Sequence, residues 1–102
     1  YDSLYLMNEK IYKLRLKLLK WEKDIKINNL SEKSKIIYSY LLANSEYLPI
    51  TIKGIKKDAL IKEMMSAATF NRSINELLAN MFIKLESDPK DRRSLVVTKI
   101  KN

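Results

Sequence analysis

The stretch that decides the fold lies near the C-terminus: Phe82-Ile83-Lys84-Leu85-Glu86, then Ser87-Asp88-Pro89-Lys90-Asp91-Arg92-Arg93, then Ser94-Leu95-Val96-Val97-Thr98-Lys99-Ile100. The outer segments are apolar and β-branched enough to read as strands, and the Asp-Pro step between them marks a turn. The reading is a β-hairpin with a long tip running from Ser87 to Arg93. Lys90, Arg92 and Arg93 make that tip basic. Asp88 and Asp91 would serve a phosphate badly, so they are expected to cap the turn or to hold an arginine through a carboxylate–guanidinium pair. A charged tip can simply keep a sheet edge soluble, but that role does not require two adjacent arginines. Arginine is favoured in the enhanced negative potential of a narrow DNA minor groove.

Immediately upstream, Met65 and Ser66 read as a turn, with Ser66 as the N-cap of a helix from about Ala67 to Asn80. Phe70, Ile74, Leu77 and Leu78 share one face of that helix and should pack on the core. The opposite face carries Ala68, Asn71, Arg72 and Asn75. A major groove about 12 Å wide admits one helix that is packed from behind and polar in front. Asn pairs with adenine and Arg with guanine, which makes Asn71, Arg72 and Asn75 the expected base readers. Ser66 and Thr69 stand at the helix start, where hydroxyls and backbone N–H groups can hold a phosphate. Small Ala67 and Ala68 allow close approach. Such a face could equally be a solvated one; the basic hairpin beside it in sequence favours the nucleic-acid reading.

Working further back, Ser31 caps a helix running to about Asn44, with Ile36, Ile37, Tyr40 and Leu41 inward. Leu48-Pro49-Ile50-Thr51-Ile52 alternates and contains proline, so it reads as an extended stretch or short edge strand. Gly54 would permit a turn before a helix from about Lys56 to Met64 whose inward residues are Ala59, Leu60 and Met64. The first segment, roughly 2–28, carries Leu4, Met7, Ile11, Leu14, Leu18, Trp21 and Ile25 at alternating spacings of three and four, a single helical seam. Tyr5, Tyr12, Leu16 and Leu19 widen it. This helix is expected to bury one side on its own domain and to offer Leu4, Met7, Ile11, Leu14, Leu18 and Trp21 to a partner, most simply a second copy. Its many lysines would also suit an anionic membrane surface, a reading disfavoured by the globular sequence that follows.

Composition bounds the rest. With 102 residues the chain makes one modest core. One glycine and two prolines argue against an all-β fold. Twenty Lys+Arg against twelve Asp+Glu give a formal charge of +8, which favours a polyanionic partner. Histidine and cysteine are both absent, which excludes disulfides, thiolate nucleophiles and most zinc sites. No glycine-rich phosphate loop or carboxylate cluster is evident, so neither an enzyme nor a cofactor is expected. No apolar run is long enough to span a bilayer, and a cytoplasmic, nucleoid-associated protein is the expectation. The sequence starts at Tyr1 rather than methionine, and further residues are expected before it. The fold class expected is mainly α with a small β-hairpin: a winged helix-turn-helix over 30–102, preceded by a long amphipathic helix over 1–29.

Asp88-Pro89-Lys90-Asp91-Arg92-Arg93 followed by Ser94-Leu95-Val96-Val97-Thr98 resembles the wing of the MarR family of bacterial transcriptional regulators, and Ser66 to Leu77 is similar to that family's recognition helix. The shorter, basic SarA-type proteins are similar in size. The resemblance covers roughly 30–100 and implies a homodimeric, sequence-specific double-stranded DNA-binding regulator, most simply a repressor. By the resemblance Asn71, Arg72 and Asn75 enter the major groove while Arg92 or Arg93 enters the minor groove. It also implies room for a small-molecule effector between the dimer helices and the winged domain, though no residue here identifies one. There are departures. Met81 stands where the family usually has glycine, the turn before the recognition helix is about one residue short, and the family's C-terminal dimerisation helices have no counterpart before Asn102, which leaves dimerisation to the first helix. The alternatives are a plasmid or phage replication or partition protein, and a winged helix used as a protein-interaction module.

Overall fold

A computed structural model describes residues 2–101; Tyr1 and Asn102, the outer limits of the two expected segments, lie outside the described residues. The first helix, α1 (Asp2–Asp24), ends earlier than the seam suggests. Lys26 turns into the left-handed region at φ 64°. The Ile27 N–H then donates to the Glu22 carbonyl at 2.9 Å and the Lys26 N–H to the Lys23 carbonyl at 3.1 Å. This is a Schellman cap in which lysine occupies the position glycine prefers. The residue that follows, Ile27, is fully buried.

Helix α2 (Glu32–Ala43) starts at Ser31, whose hydroxyl accepts the Ser34 N–H at 3.3 Å. Its buried face is Ser34, Ile37, Tyr38 and Leu41. The expected Ile36 and Tyr40 are only half-buried, because Tyr38 takes the interior position with its ring edge-on to Phe82, centroids 5.3 Å apart. A short 3-10 turn (Ser45–Tyr47) leads to a cis Leu48–Pro49 peptide and to β1 (Ile50–Thr51).

The helix expected over Lys56–Met64 is two six-residue helices, α3 (Ile52–Lys57) and α4 (Ala59–Met64). Gly54 makes no turn; it lies inside α3. The Thr51 hydroxyl caps α3 by accepting the Gly54 N–H at 2.9 Å, and a Cβ at Gly54 would meet that oxygen at 2.9 Å. A larger residue there would require the Thr51 hydroxyl to shift. Asp58 restarts the chain as α4, accepting from the N–H groups of Leu60 and Ile61 at 3.1 and 3.2 Å. That cap sets the phase, and Ile61 turns inward. Ala59, Leu60 and Met64, expected inside, are exposed, Leu60 at 71%.

Helix α5 (Ala67–Ala79) buries Phe70, Ser73, Ile74 and Leu77. Leu78 lies about 100° further round the helix and is exposed, contrary to its expected place on the core face. A second Schellman cap ends α5: Met81 has φ 62°, and the N–H groups of Phe82 and Met81 donate to the carbonyls of Leu77 and Leu78 at 2.9 and 3.1 Å. The chain then enters β2 (Ile83–Asp88) and β3 (Asp91–Ile100). The sheet is antiparallel with order β1-β3-β2, Ile50 facing Val97 and Ile83 facing Ile100. Pairing continues to Asp88 opposite Asp91, so the connection is the Pro89-Lys90 turn rather than the long tip expected. Irregularities at Lys84/Leu85 and Ser87/Asp88 take up the extra residues.

One expectation about α1 fails outright. It buries no side on its own domain, since every residue from Ser3 to Trp21 is exposed. Only its end docks, through Glu22 and through Ile27 and Leu30 of the connection that follows it. The Glu22 carboxylate accepts from Lys35 on α2 at 2.9 Å in a nearly buried ion pair. The molecule accordingly measures 57 × 27 × 25 Å with a radius of gyration of 15.9 Å, against about 13 Å for a compact chain of this length. Its accessible surface of 7849 Å² exceeds by about 1,900 Å² what a compact monomer of this size exposes.

Candidate nucleic-acid interface

The polar face of α5 is built by its caps and its core contacts. Ser66 accepts the Thr69 N–H at 3.2 Å and starts the helix. Phe70, Ser73, Ile74 and Leu77 fasten it against α2 and the sheet. What remains outward is Ala68, Asn71, Arg72 and Asn75, all exposed and gathered on one face, as their spacing requires.

The two hydroxyls at the helix start are already engaged. Ser66 Oγ lies 3.1 Å from Thr69 Oγ1, and an Arg72 guanidinium N–H donates to that same Thr69 oxygen at 3.2 Å. Thr69 is half-buried and serves to orient Arg72. Beside this end of α5 is a cleft of about 320 Å³ lined by Lys56, Lys62 and Ser66 over an apolar floor that includes Phe70.

In the wing, Lys90, Arg92 and Arg93 are all exposed. The two aspartates cap the turn, one of the two expected roles. Asp88 Oδ1 accepts the Lys90 N–H at 3.0 Å and Asp91 Oδ1 the Arg93 N–H at 3.1 Å, while Ser94 donates its hydroxyl to Asp91 Oδ2 at 3.0 Å. Neither carboxylate pairs with an arginine side chain among the described residues. The guanidiniums are therefore not neutralised by the acids beside them in sequence. The Asp91 carboxyl is held below the usual carboxylate range, chiefly by the Arg93 N–H, then by the Ser94 hydroxyl and the charge of Lys53.

That last influence locates a cation the sequence reading missed. Lys53 sits on α3, far from the wing in sequence, and comes near it because Thr51 pairs with Val96 on β3. Lys57 on α3 and Lys62 on α4 are exposed as well. No motif marks these lysines; only the net charge hinted at them.

The expected partner seam stands apart from this face. Leu4, Met7, Ile11, Leu14, Leu18 and Trp21 are all exposed, Leu14 at 64% and Trp21 at 37%. No helix among the described residues is long and apolar enough to cross a membrane.

No protein-family model and no curated protein matches the sequence. Solved structures do match. MarR aligns with TM-score 0.58 and 15% identity over 100% of this chain and 66% of its own. AbfR of Staphylococcus epidermidis, in the reduced form bound to DNA, aligns with TM-score 0.56 and 20% identity over 100% of this chain and 72% of its own. The transcriptional regulator BldR from Sulfolobus solfataricus aligns with TM-score 0.53 and 25% identity over 98% of this chain and 66% of its own. The chain thus spans about two thirds of the length of MarR and of BldR. The likeness is one of fold, the winged helix of MarR-type regulators.

Proposed function

We propose that this winged-helix chain is a homodimeric, sequence-specific double-stranded DNA-binding transcriptional regulator, acting in the cytoplasm on the nucleoid and repressing by occupying promoter DNA. One observation carries the reading. A recognition helix presents Asn71, Arg72 and Asn75 to solvent, and a hairpin tip presents Lys90, Arg92 and Arg93 with no carboxylate among the described residues neutralising either arginine. The same fold is seen on DNA in AbfR. In this reading α5 enters the major groove and the wing the minor groove. Lys53 adds backbone attraction beside the wing.

Dimerisation through α1 is supported by area. A surface excess of about 1,900 Å² on one chain goes with a helix whose apolar seam is exposed along its length, and specific interfaces bury about 1,200–2,000 Å² over both partners. Two copies joined along the Leu4–Trp21 seam would also supply the paired recognition helices that a two-fold operator demands.

The test is a salt-titrated anisotropy measurement on a duplex selected from a random pool by the protein itself. Arg92→Ala/Arg93→Ala is expected to weaken binding on every sequence and, with two arginines lost from each protomer of the dimer, to reduce the logarithmic salt slope by up to about 4. Asn71→Ala is expected to relax base preference instead. Unchanged affinity after the double arginine substitution would refute the wing's role.

A further inference from the structure

Glu76 follows Arg72 on α5 by four residues, the spacing at which a carboxylate and a guanidinium pair across one turn of a helix. They do not pair, and Arg72 is in no ion pair among the described residues. Arg72 is exposed, and among the described residues its guanidinium donates a hydrogen bond to Thr69 Oγ1 alone, at 3.2 Å. Glu76, which lines the same cleft as Arg72, is held instead by the start of α2. There its Oε1 accepts both the Ser31 N–H and the Ser31 hydroxyl, each at 3.0 Å.

The grip on Glu76 is built in depth. Ser31 Oγ lies 3.0 Å from the hydroxyl of Ser34. Ser34 is fully buried, and its hydroxyl donates to the Ser73 carbonyl of α5 at 3.4 Å. The first turn of α2 is also a favourable place for a negative charge, because its N–H groups and helix dipole face it. The Glu76 carboxyl is held below its ordinary range by the Ser34 hydroxyl and the Ser31 N–H. The Lys33 ammonium ties the same turn to the Met64 carbonyl at the end of α4 at 2.7 Å. The anchor for Glu76 is thus itself fixed on both helices of the helix-turn-helix.

We propose that Ser31 sequesters Glu76 and so keeps the Arg72 guanidinium free for a DNA base edge or phosphate. Ser31 and Glu76 are positioning residues for Arg72. The inference rests on the reading of α5 as the DNA-facing helix. A carboxylate released from Ser31 would close on Arg72 and would occupy the donors that DNA needs. A pair of this kind shifts an equilibrium by about twofold on its own, and it would do more once the free carboxylate also faces phosphates.

The experiment is a double-mutant cycle read by anisotropy on a fluorescein-labelled 20-base-pair duplex selected from a random pool by the wild-type protein. Ser31→Ala, which removes the hydroxyl and leaves the backbone N–H as the remaining contact of residue 31 with Glu76, is expected to weaken binding about twofold. Glu76→Gln, which still accepts from Ser31 but carries no charge, should bind as well as wild type or better. Ser31→Ala added to Glu76→Gln should then cost nothing measurable. An equal loss in both backgrounds would show that Ser31 serves only as a helix cap, and it would overturn the proposal. So would no loss in either. If Ser31→Ala folds poorly, Ser31→Gly keeps an acceptable cap and the same cycle applies. A wild-type protein that selects no duplex would overturn the DNA reading itself, and this inference with it.

Discussion

Replacing Met81 by glycine should stabilise the protein. Met81 sits at φ 62° to close the Schellman cap between α5 and β2, a conformation that crowds any Cβ against the following carbonyl and costs a non-glycine residue roughly 1–2 kcal/mol. Glycine removes that strain but has more freedom to lose on folding, which offsets about 0.5–1 kcal/mol. The side chain contributes little, since Met81 is 80% exposed and full burial of a methionine gains about 1.5–3 kcal/mol. The net expectation is a gain of about 0.5 kcal/mol, a rise in Tm of about 2–4 °C for a domain of this size. Thermal unfolding at fixed protein concentration measures it, with Met81→Ala as the control. Alanine keeps the strain and forgoes the same contacts, so it should be neutral or slightly destabilising. Lys26, at φ 64° and exposed at the surface, offers an independent second site. If neither glycine variant melts above its alanine counterpart, the assignment of left-handed strain at these two caps is wrong.

Three other outcomes are expected. Ile11→Glu with Leu14→Glu, on the exposed seam of α1, should convert a dimer to monomer in sedimentation equilibrium while leaving the far-UV signal of the folded domain in place; a dimer that survives both charges would locate the interface elsewhere. Glu22→Ala should cost about 2 kcal/mol in urea unfolding, less than the roughly 3–5 kcal/mol of a fully buried pair, because Glu32 remains 3.3 Å from Lys35. The depressed Glu76 carboxyl sets a pH dependence. Its folded form binds fewer protons than the unfolded chain below the ordinary value of 4.5, so its contribution is present above that value and is lost as pH falls through the folded one. Urea midpoints compared between about pH 6 and pH 3 should therefore fall more steeply for wild type than for Glu76→Gln, and parallel profiles would contradict the assignment.

Much of the architecture could be read from residues whose consequences are local. Ser31 and Ser66 are caps because a hydroxyl two or three residues ahead of free N–H groups has few better partners. Phe70, Ile74 and Leu77 are buried because their spacing leaves them one face. The wing was legible for the same reason, though its strands run on to the Pro89-Lys90 turn where a longer tip was expected. The expected base readers do lie on one exposed face. Met81 was visible as an odd substitution at a glycine-like position, and its positive φ supplies the reason.

Other features were beyond local reading. Whether Leu60 or Ile61 points inward depends on where Asp58 restarts the helix, and a shift of one residue rotates the whole face by 100°. The seam of α1 showed that something must cover it, but only the folded chain shows that its own domain does not. The nearness of Lys53 to the wing and the capture of Glu76 by Ser31 join residues distant in sequence, through strand pairing and through helix packing respectively. The sequence by itself determined α2, α5 and the hairpin strands, the caps Ser31 and Ser66 and the polar face of α5, because those follow from neighbours within a turn or two. Which cations stand free, and what holds their would-be partners away, was decided by tertiary structure, because charges pair across space.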